Sequence, residues 1–278
     1  MYPVPVEAAT QGKTDLYIGT WLKQQKREQV VLASKVCGRS DKVTWVRAGS
    51  ATPVVNRANI MESVEKSLQR LGTDHIDLLQ IHWPDRYVPL FGAAAYDVAN
   101  EYDAVSFEEQ LEAMQELITQ GKIRAFGLSN ETSFGVMSFC QLAEKHSLPK
   151  PVSIQNSYSL LSRTNFETDL AEVCSPRHTN MGLLAYSPLA GGSLSGKYVD
   201  GTPEGARFTL FPGYMDRFNK SLAKDAVAEY VAVRTSMRTR ILGMRMGVGW
   251  STSHAAYSDE TVANRDIRVW YGATENGP

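Results

Sequence analysis

Short apolar runs alternate with amphipathic segments along most of this chain. The strand-like runs are residues 30–36, 76–82, 123–129, 152–155 and 182–187. Continuous apolar runs of this length are typical of strands that are buried on both faces, as in a parallel sheet. The alternation predicts βα units around one parallel sheet, and it leaves a doubly wound sheet or a barrel as the possible architectures.

The segments between the runs have the spacing of helices that bury one face. Apolar residues recur at helical intervals in two of them: Ile60, Val64, Leu68 and Leu71 in the first, and Phe107, Leu111, Met114, Leu117 and Ile118 in the second. Ser106 with Glu109 has the pattern of a capping box, which predicts the start of the second helix.

Composition excludes several classes of function. The net charge of -1 gives no electrostatic reason to expect nucleic acid or an anionic membrane as a partner. The three cysteines are widely spaced and form no metal-binding pattern with the five histidines, so we expect free thiols in a reducing compartment and no metal. No apolar run reaches the roughly 20 residues of a membrane helix, and the N-terminus lacks the pattern of a signal peptide. These features predict a cytoplasmic protein.

The long segments after residues 36 and 82 carry many aromatic residues: Trp45, Trp83, Tyr87, Phe91, Tyr96 and Tyr102. Long loops with aromatics after parallel strands favour a ligand pocket at the carboxyl ends of the strands. The alternative is that these side chains only fold the loops onto the sheet.

From about Arg234 the pattern changes. A basic run is followed by three glycines and a polar stretch, and residues 241–248 would make only a poor strand. We therefore divide the chain into residues 1–233 and an atypical, poorly ordered tail of residues 234–278.

Five motifs occur in order within the first 233 residues. They are MYP at 1–3, ASKV at 33–36, LQIHWP at 79–84, GLSN at 127–130 and AYSPL at 185–189. Their order and spacing resemble those of aldo-keto reductases, in the branch of bacterial and plant reductases that are similar to potassium-channel β subunits. The resemblance implies a (β/α)8 TIM barrel and NADP(H)-dependent reduction of an aldehyde or ketone.

The family uses Asp, Tyr, Lys and His for catalysis, and the resemblance assigns the last three to Tyr2, Lys35 and His82. Hydride transfer to a carbonyl carbon leaves charge on the oxygen, which needs a proton donor within hydrogen-bond reach. A tyrosine is a weak acid near neutral pH, and a neighbouring ammonium lowers its pKa. The resemblance implies that Tyr2 is the acid, that Lys35 tunes it and that His82 orients the carbonyl.

The same resemblance implies the cofactor contacts. Ser129, Asn130 and Gln155 match the residues that bind the nicotinamide carboxamide, and Tyr186 matches the aromatic that stacks on the nicotinamide ring. The pyrophosphate loop is matched by Ser187, Pro188, Leu189, Ala190 and Gly191, with Lys197 beyond. Small residues let a backbone approach phosphate, and a lysine supplies charge.

The chain departs from the family pattern at both ends. It begins at the tyrosine motif, so we expect the barrel to lack strand 1, helix 1 and the catalytic Asp, and strand 8 is doubtful. Without its Asp, a buried Lys35 tends to neutrality. The alternatives to an active reductase are therefore a regulatory protein on the same fold and an impaired fragment. His82 favours the enzyme, because the similar channel subunits carry Asn there. The partner is a small carbonyl compound, and the sequence predicts neither its identity nor the oligomeric state.

Overall fold

The computed structural model of the chain describes residues 10–90, 95–236 and 268–271. The chain divides into two compact units: Met1–Ile154 with Asn264–Pro278, and Gln155–Ala263. Each unit is described by itself below.

The first unit is a parallel sheet with helices between its consecutive strands. Its strands are β1 (Val30–Val36), β2 (Ile76–Ile81), β3 (Ile123–Ser129), the first residues of β4 (Ser153–Ser157) and β6 (Arg268–Tyr271). Its helices are α1 (Lys13–Leu22), α2 (Arg57–Leu71), α3 (Phe107–Thr119) and α4 (Ser133–His146).

The strands of this unit lie in the order β4-β3-β2-β1-β6. The pairs β1–β2, β2–β3 and β1–β6 are parallel, and Lys35 on β1 is in register with Gln80 on β2. In a barrel, strands that follow one another in the chain are neighbours in the sheet. In a doubly wound sheet, the strand order reverses at a switch point. The (β/α)8 barrel predicted from the sequence is confirmed in its incomplete form.

The buried faces of strands and helices supply the core of the first unit. Leu32, Ile76 and Phe126 on the strands are each at most 1% exposed. The residues predicted to face the core from α2 and α3 include Ile60, Val64, Leu111, Met114 and Leu117, all at most 1% exposed. Full burial of one such side chain contributes roughly 1.5–3 kcal/mol. The helical periodicity in the sequence is therefore explained by packing against the sheet.

Side-chain caps fix where the helices begin. Asn56 accepts a hydrogen bond from the Asn59 amide at 2.9 Å at the start of α2, and Ser106 accepts one from the Glu109 amide at 3.2 Å at the start of α3. These bonds satisfy amides that have no partner within the first turn of a helix.

A cluster of charges ties the amino-terminal ends of three strands together. Asp77 on β2 accepts hydrogen bonds from Arg27 at 2.7 Å, from Arg124 on β3 at 2.6 Å and from the Leu32 amide on β1 at 2.9 Å. A buried carboxylate with several donors is stabilised against the loss of its hydration. The amino-terminal ends of β1, β2 and β3 are thus held together through Asp77.

The second unit contains the end of β4 and the neighbouring β5 (Gly182–Tyr186). Its helices are α5 (Thr164–Glu167), α6 (Leu170–Val173), α7 (Arg207–Leu210) and α8 (Ser221–Ser236). Buried Leu194, Tyr198, Phe208 and Phe218 form a core cluster, in which the rings of Tyr198 and Phe208 stack at 4.7 Å.

The five predicted strands are present. The bounds predicted as 76–82, 152–155 and 182–187 differ from the observed bounds by at most two residues. Strand β6 was not predicted. Its backbone pairs with β1, and this long-range pairing leaves no local signal in the sequence. The poor strand predicted at 241–248 lies outside the described residues. The domain boundary at 233 remains a prediction, and α8 ends three residues beyond it, at Ser236.

Candidate active site

Lys35, His82 and Ser129 lie at the carboxyl ends of three neighbouring parallel strands. Lys35 is the penultimate residue of β1, His82 directly follows β2, and Ser129 is the last residue of β3. The amide of His82 donates to the carbonyl of Val36 at 2.9 Å, which continues the pairing of β1 and β2 past the end of β2. The structure therefore brings these predicted residues to one edge, the edge where barrels carry their functional groups.

Burial sets the charge state of Lys35. It lowers the pKa of the ammonium from 10.5 to about 8, because removing a charge from water disfavours the charged form. The tendency to neutrality predicted for a buried Lys35 agrees with this shift. Near pH 7 the ammonium still predominates, so Lys35 remains a cation at this edge.

His82 is neutral throughout the physiological pH range. Burial and, secondarily, the positive charge of Lys35 lower the pKa of its imidazole from 6.5 to about 3. Its ring lies 4.7 Å from the ring of Trp83, measured between centroids. A neutral imidazole can orient a carbonyl group, but it carries no extra proton to give.

Asn130 connects the end of β3 to the end of β2. Its side-chain amide donates to the carbonyl of His82 at 2.9 Å and to the hydroxyl of Ser129 at 3.2 Å. Its backbone is left-handed, with φ of 54°, a conformation that asparagine adopts more readily than most residues. This conformation, together with the two hydrogen bonds, fixes the predicted carboxamide-binding pair in one arrangement.

In the second unit Gln155 lies on β4 and Tyr186 ends β5. Burial raises the pKa of the Tyr186 phenol, while the positive charge of Arg217 and a hydrogen bond with Ser157 oppose that shift. The carbonyl of Tyr186 accepts from the amide of Tyr158 at 3.3 Å, so the strand end is fixed on its backbone as well.

The loop after β5 has an unusual backbone. Ser187, Ala190, Gly191 and Gly192 all have positive φ, at 56°, 50°, 67° and 103°. Side chains other than hydrogen disfavour this region, so Ser187 and Ala190 carry strain that the surroundings must maintain. Ser187 is 4% exposed and Ala190 is fully buried. Strain held in place in this way favours a functional loop over a plain turn.

Lys197 lies next to this loop. A Cβ atom at Gly192 would be 3.0 Å from Cε of Lys197, and the ammonium of Lys197 lies 5.1 Å from the ring centroid of Tyr198. The lysine is exposed and faces a segment of small residues. Pro188 and Leu189 are partly buried within the same loop.

Tyr2, the predicted acid, lies outside the described residues, as does Phe91 among the predicted pocket aromatics. Of the other loop aromatics, Trp83 and Tyr102 make structural contacts. The indole of Trp83 donates to the Arg39 carbonyl at 2.8 Å, and the phenol of Tyr102 donates to the Asp85 carbonyl at 2.8 Å. For these two side chains the alternative, that aromatics fold the loops, explains what they contact.

Sequence reasoning missed two residues at the carboxyl end of the sheet in the first unit. Asp85 is buried and accepts hydrogen bonds from the amides of Val55 at 2.7 Å and Val105 at 2.8 Å. Arg47 is buried in the segment after β1. The position of Asp85 directly after the LQIHWP motif was an available signal, whereas nothing local marks Arg47.

Among the described residues no group of histidine, cysteine and carboxylate side chains is arranged to hold a metal ion. None of the described helices combines the length and the apolar character needed to cross a membrane.

Parallel βα units with a lysine, a histidine and an asparagine at adjacent strand ends are the arrangement of a (β/α)8-barrel protein with its site at the carboxyl face. The model of the aldo/keto reductase family matches residues 2–230, and the chain belongs to this family of oxidoreductases. The predicted family and branch are thereby confirmed. The cofactor of the family is NADP(H), as predicted.

Two curated relatives show the extent of the similarity. An aldo-keto reductase of Babesia bovis is 45% identical over 220 residues, which are 76% of this chain and 76% of the relative. Protein tas of Escherichia coli (strain K12) is 46% identical over 236 residues, which are 84% of this chain and 66% of the relative. The chain thus spans just under two thirds of the length of protein tas.

One solved structure is similar over part of the chain. It is an aldo/keto reductase from Klebsiella pneumoniae in complex with NADP and acetate, with 27% identity and a TM-score of 0.47. The match covers 66% of this chain and 51% of that chain.

Proposed function

We propose that this chain reduces an aldehyde or ketone to an alcohol, with NADPH as the hydride donor and Tyr2 as the general acid. The observation that carries the proposal is the placement of Lys35 and His82 at adjacent strand ends, with Asn130 bonded to the backbone of His82. Family membership supports the same reaction.

The residues present fit NADP(H). In the first unit Ser129 and Asn130 offer a hydroxyl and an amide for the carboxamide of the nicotinamide. The second unit, taken by itself, offers residues 187–191 and the exposed Lys197 for phosphate groups. The fit depends on the missing Cβ at Gly192, which lets the cation of Lys197 lie against this loop.

When it is bound, NADPH supplies a hydride to the carbonyl carbon. Tyr2 gives its phenolic proton to the carbonyl oxygen, so that the carbonyl becomes a neutral alcohol and the tyrosine a phenolate. The ammonium of Lys35 stabilises that phenolate and so lowers the pKa of the acid. His82, with a pKa of about 3, is unprotonated at pH 7, which supports Tyr2 rather than an imidazolium as the proton donor.

The test is the substitution Tyr2→Phe, which keeps the ring and removes the donor. We expect turnover to fall by about 10²–10⁴-fold, the usual value of general acid catalysis, while NADPH binding persists. The matched control is Tyr17→Phe, because Tyr17 lies on α1 and is 71% exposed. The measurement is the rate of carbonyl-dependent NADPH oxidation.

Two outcomes would contradict the proposal. Equal turnover by Tyr2→Phe and the parent chain would show that Tyr2 is not the acid. A folded parent chain that neither binds NADPH nor reduces any carbonyl compound would favour the alternative of a catalytically impaired or regulatory member of the family.

A further inference from the structure

Arg47 lies in the segment between β1 and α2 and is 7% exposed. Its Nη1 donates to the carbonyl of Val46 at 3.2 Å. Its Nε and Nη2 atoms are buried and have no hydrogen-bond partner among the described residues. One edge of this guanidinium is therefore unused in the described part of the chain.

An unused buried donor is costly. Leaving a buried hydrogen-bonding group without a partner costs about 1–3 kcal/mol, and more where the group is charged. Burial lowers the pKa of Arg47, and electrostatic interactions with Cys37 and Glu62 oppose this shift. Arginine nevertheless stays protonated in proteins, so the cation remains. A buried cation with two donors that no described residue satisfies is an expected site for an anion.

The nearby carboxylate does not fill the free edge. Glu62 accepts hydrogen bonds from the ammonium of Lys66 and, at 3.2 Å, from the amide of Ala48. It acts on Arg47 only through its charge. Within the described ranges of the chain, the two donors of Arg47 thus have no partner.

Other arginines of this chain show what the same edge binds. Arg57 holds Glu116 through Nε and Nη2 at 2.7 and 2.6 Å, and Arg163 holds Glu167 through the same two atoms at 2.9 and 2.8 Å. Each pair places the two oxygens of one carboxylate opposite the two parallel N–H groups. A flat, two-oxygen anion is therefore the group that matches the free edge of Arg47.

Arg47 lies on the segment that follows the carboxyl end of β1, the strand end near which Lys35 lies. Cys37 is the first residue of that segment, two positions after Lys35. The charge of Arg47 acts on the Cys37 thiol, where it opposes the burial that raises the pKa to about 12. By its place in the chain, Arg47 therefore lies at the same end of β1 as Lys35, the end where barrels carry their functional groups.

We propose that Arg47 binds a carboxylate on the carbonyl substrate, so that the chain prefers aldehydes or ketones that carry an acid group. This inference rests on the proposed function, since it names the substrate class of the same site. The carboxylate docks on Nε and Nη2 of Arg47, and the carbonyl of the same molecule lies towards Lys35 and His82.

The first test compares two substrates that differ in one charge: 4-formylbenzoate and its methyl ester. The parent chain is expected to have the higher kcat/KM for the acid. In Arg47→Met the acid-to-ester ratio of kcat/KM falls about 10–100-fold, the value of a hydrogen bond to a charged group. In the control Arg57→Met, which removes the same charge from an arginine with its own carboxylate partner, the ratio stays as in the parent chain.

A second variant guards against misfolding of Arg47→Met. Arg47→Lys keeps the positive charge and removes the two-pronged edge, so it should also lose most of the preference for the acid. Circular dichroism melts establish that each variant is folded. A parent chain without preference for the acid, or an Arg47→Lys variant that keeps the full preference, would overturn the proposal.

A binding measurement separates this inference from the proposed function. Isothermal titration of the full chain with 4-(hydroxymethyl)benzoate, its methyl ester and inorganic phosphate needs no turnover. Binding of the acid that is lost in Arg47→Met supports the inference even if no carbonyl is reduced. Absence of acid binding, or binding of phosphate as tight as that of the acid, contradicts a substrate carboxylate at Arg47.

Discussion

Lys35 is the residue at which stability and proposed chemistry conflict. The proposed role of Lys35 requires it to lie close to the reacting groups, and in this chain its side chain is only partly exposed. Burial lowers the pKa of its ammonium to about 8, which means that the folded state binds this proton less tightly than the unfolded state does. The cation at this position therefore makes the folded chain less stable at neutral pH.

We expect Lys35→Met to stabilise the chain at pH 7 by on the order of 1–3 kcal/mol, since it removes a buried charge and keeps an unbranched side chain. Below about pH 8 the lysine is protonated in both states and the cost is fully present. Between pH 8 and 10.5 the folded chain releases the proton first, so the advantage of methionine should shrink through that window. Urea unfolding at pH 7 and pH 9.5 measures both effects.

The control for this experiment is Lys42→Met, because Lys42 is exposed. Its free energy of unfolding should differ little from that of the parent chain at either pH. A Lys35→Met variant that is less stable than the parent chain at pH 7 would show that contacts of the ammonium outweigh the cost of its burial.

The elements of the first unit show what local sequence could predict and what it could not. The start of α3 was predicted from Ser106 and Glu109, and Ser106 does cap the helix. The carboxylate of Glu109, however, accepts from the amide of Arg57 at 3.0 Å, at the start of α2. The capping box is therefore only half confirmed. The competing contact depends on the packing of α2 beside α3, and no window of local sequence contains that information.

Asp85 stabilises the segments that follow β1 and β2 by binding backbone amides from both. Asp85→Ala would leave the amides of Val55 and Val105 without this acceptor, so we expect a loss of about 2–5 kcal/mol in the free energy of unfolding. Asp97→Ala is the matched control. Asp97 also accepts from a backbone amide, that of Ala99 at 3.0 Å, but this bond is exposed, and its loss should cost about 1 kcal/mol.

Denaturant unfolding of Asp85→Ala, Asp97→Ala and the parent chain measures these differences. If Asp85→Ala lost no more stability than Asp97→Ala, water would be an adequate substitute for the carboxylate, and the segments would not depend on it.

On the scale of the whole molecule, the order of the motifs predicted the family and the barrel. Lys35, His82 and Asn130 could be located because parallel strands bring their carboxyl ends to one edge, whatever the details of packing. The division into two compact units and the pairing of β6 with β1 could not be predicted. Both depend on contacts between residues far apart in the chain, and these leave no periodic pattern.

We expect the chain to bind NADPH more tightly than NADH, because the family cofactor is NADP(H). A ligand that binds only the folded state stabilises it by about 2.7 kcal/mol at 100 times its Kd, which for a chain of this size raises Tm by roughly 5 °C. Thermal melts with equal concentrations of the two dinucleotides measure the preference, and NADH serves as the control that lacks only the 2′-phosphate. Equal shifts would mean that no group of this chain recognises that phosphate.

Gly38 and Trp83 limit how the candidate active site can change in evolution. A Cβ atom at Gly38 would lie 2.2 Å from the carbonyl oxygen of Trp83 and 2.3 Å from its ring, so every substitution at this glycine begins with a collision. The indole in turn is bonded to the carbonyl of Arg39, the residue next to that glycine. A smaller residue at position 83 would relieve only the clash with the ring, because the clash with the carbonyl oxygen is independent of the side chain. A side chain at position 38 therefore requires the backbone at that position or at Trp83, next to His82, to move, so a change here is coupled to the geometry of the strand end that carries His82.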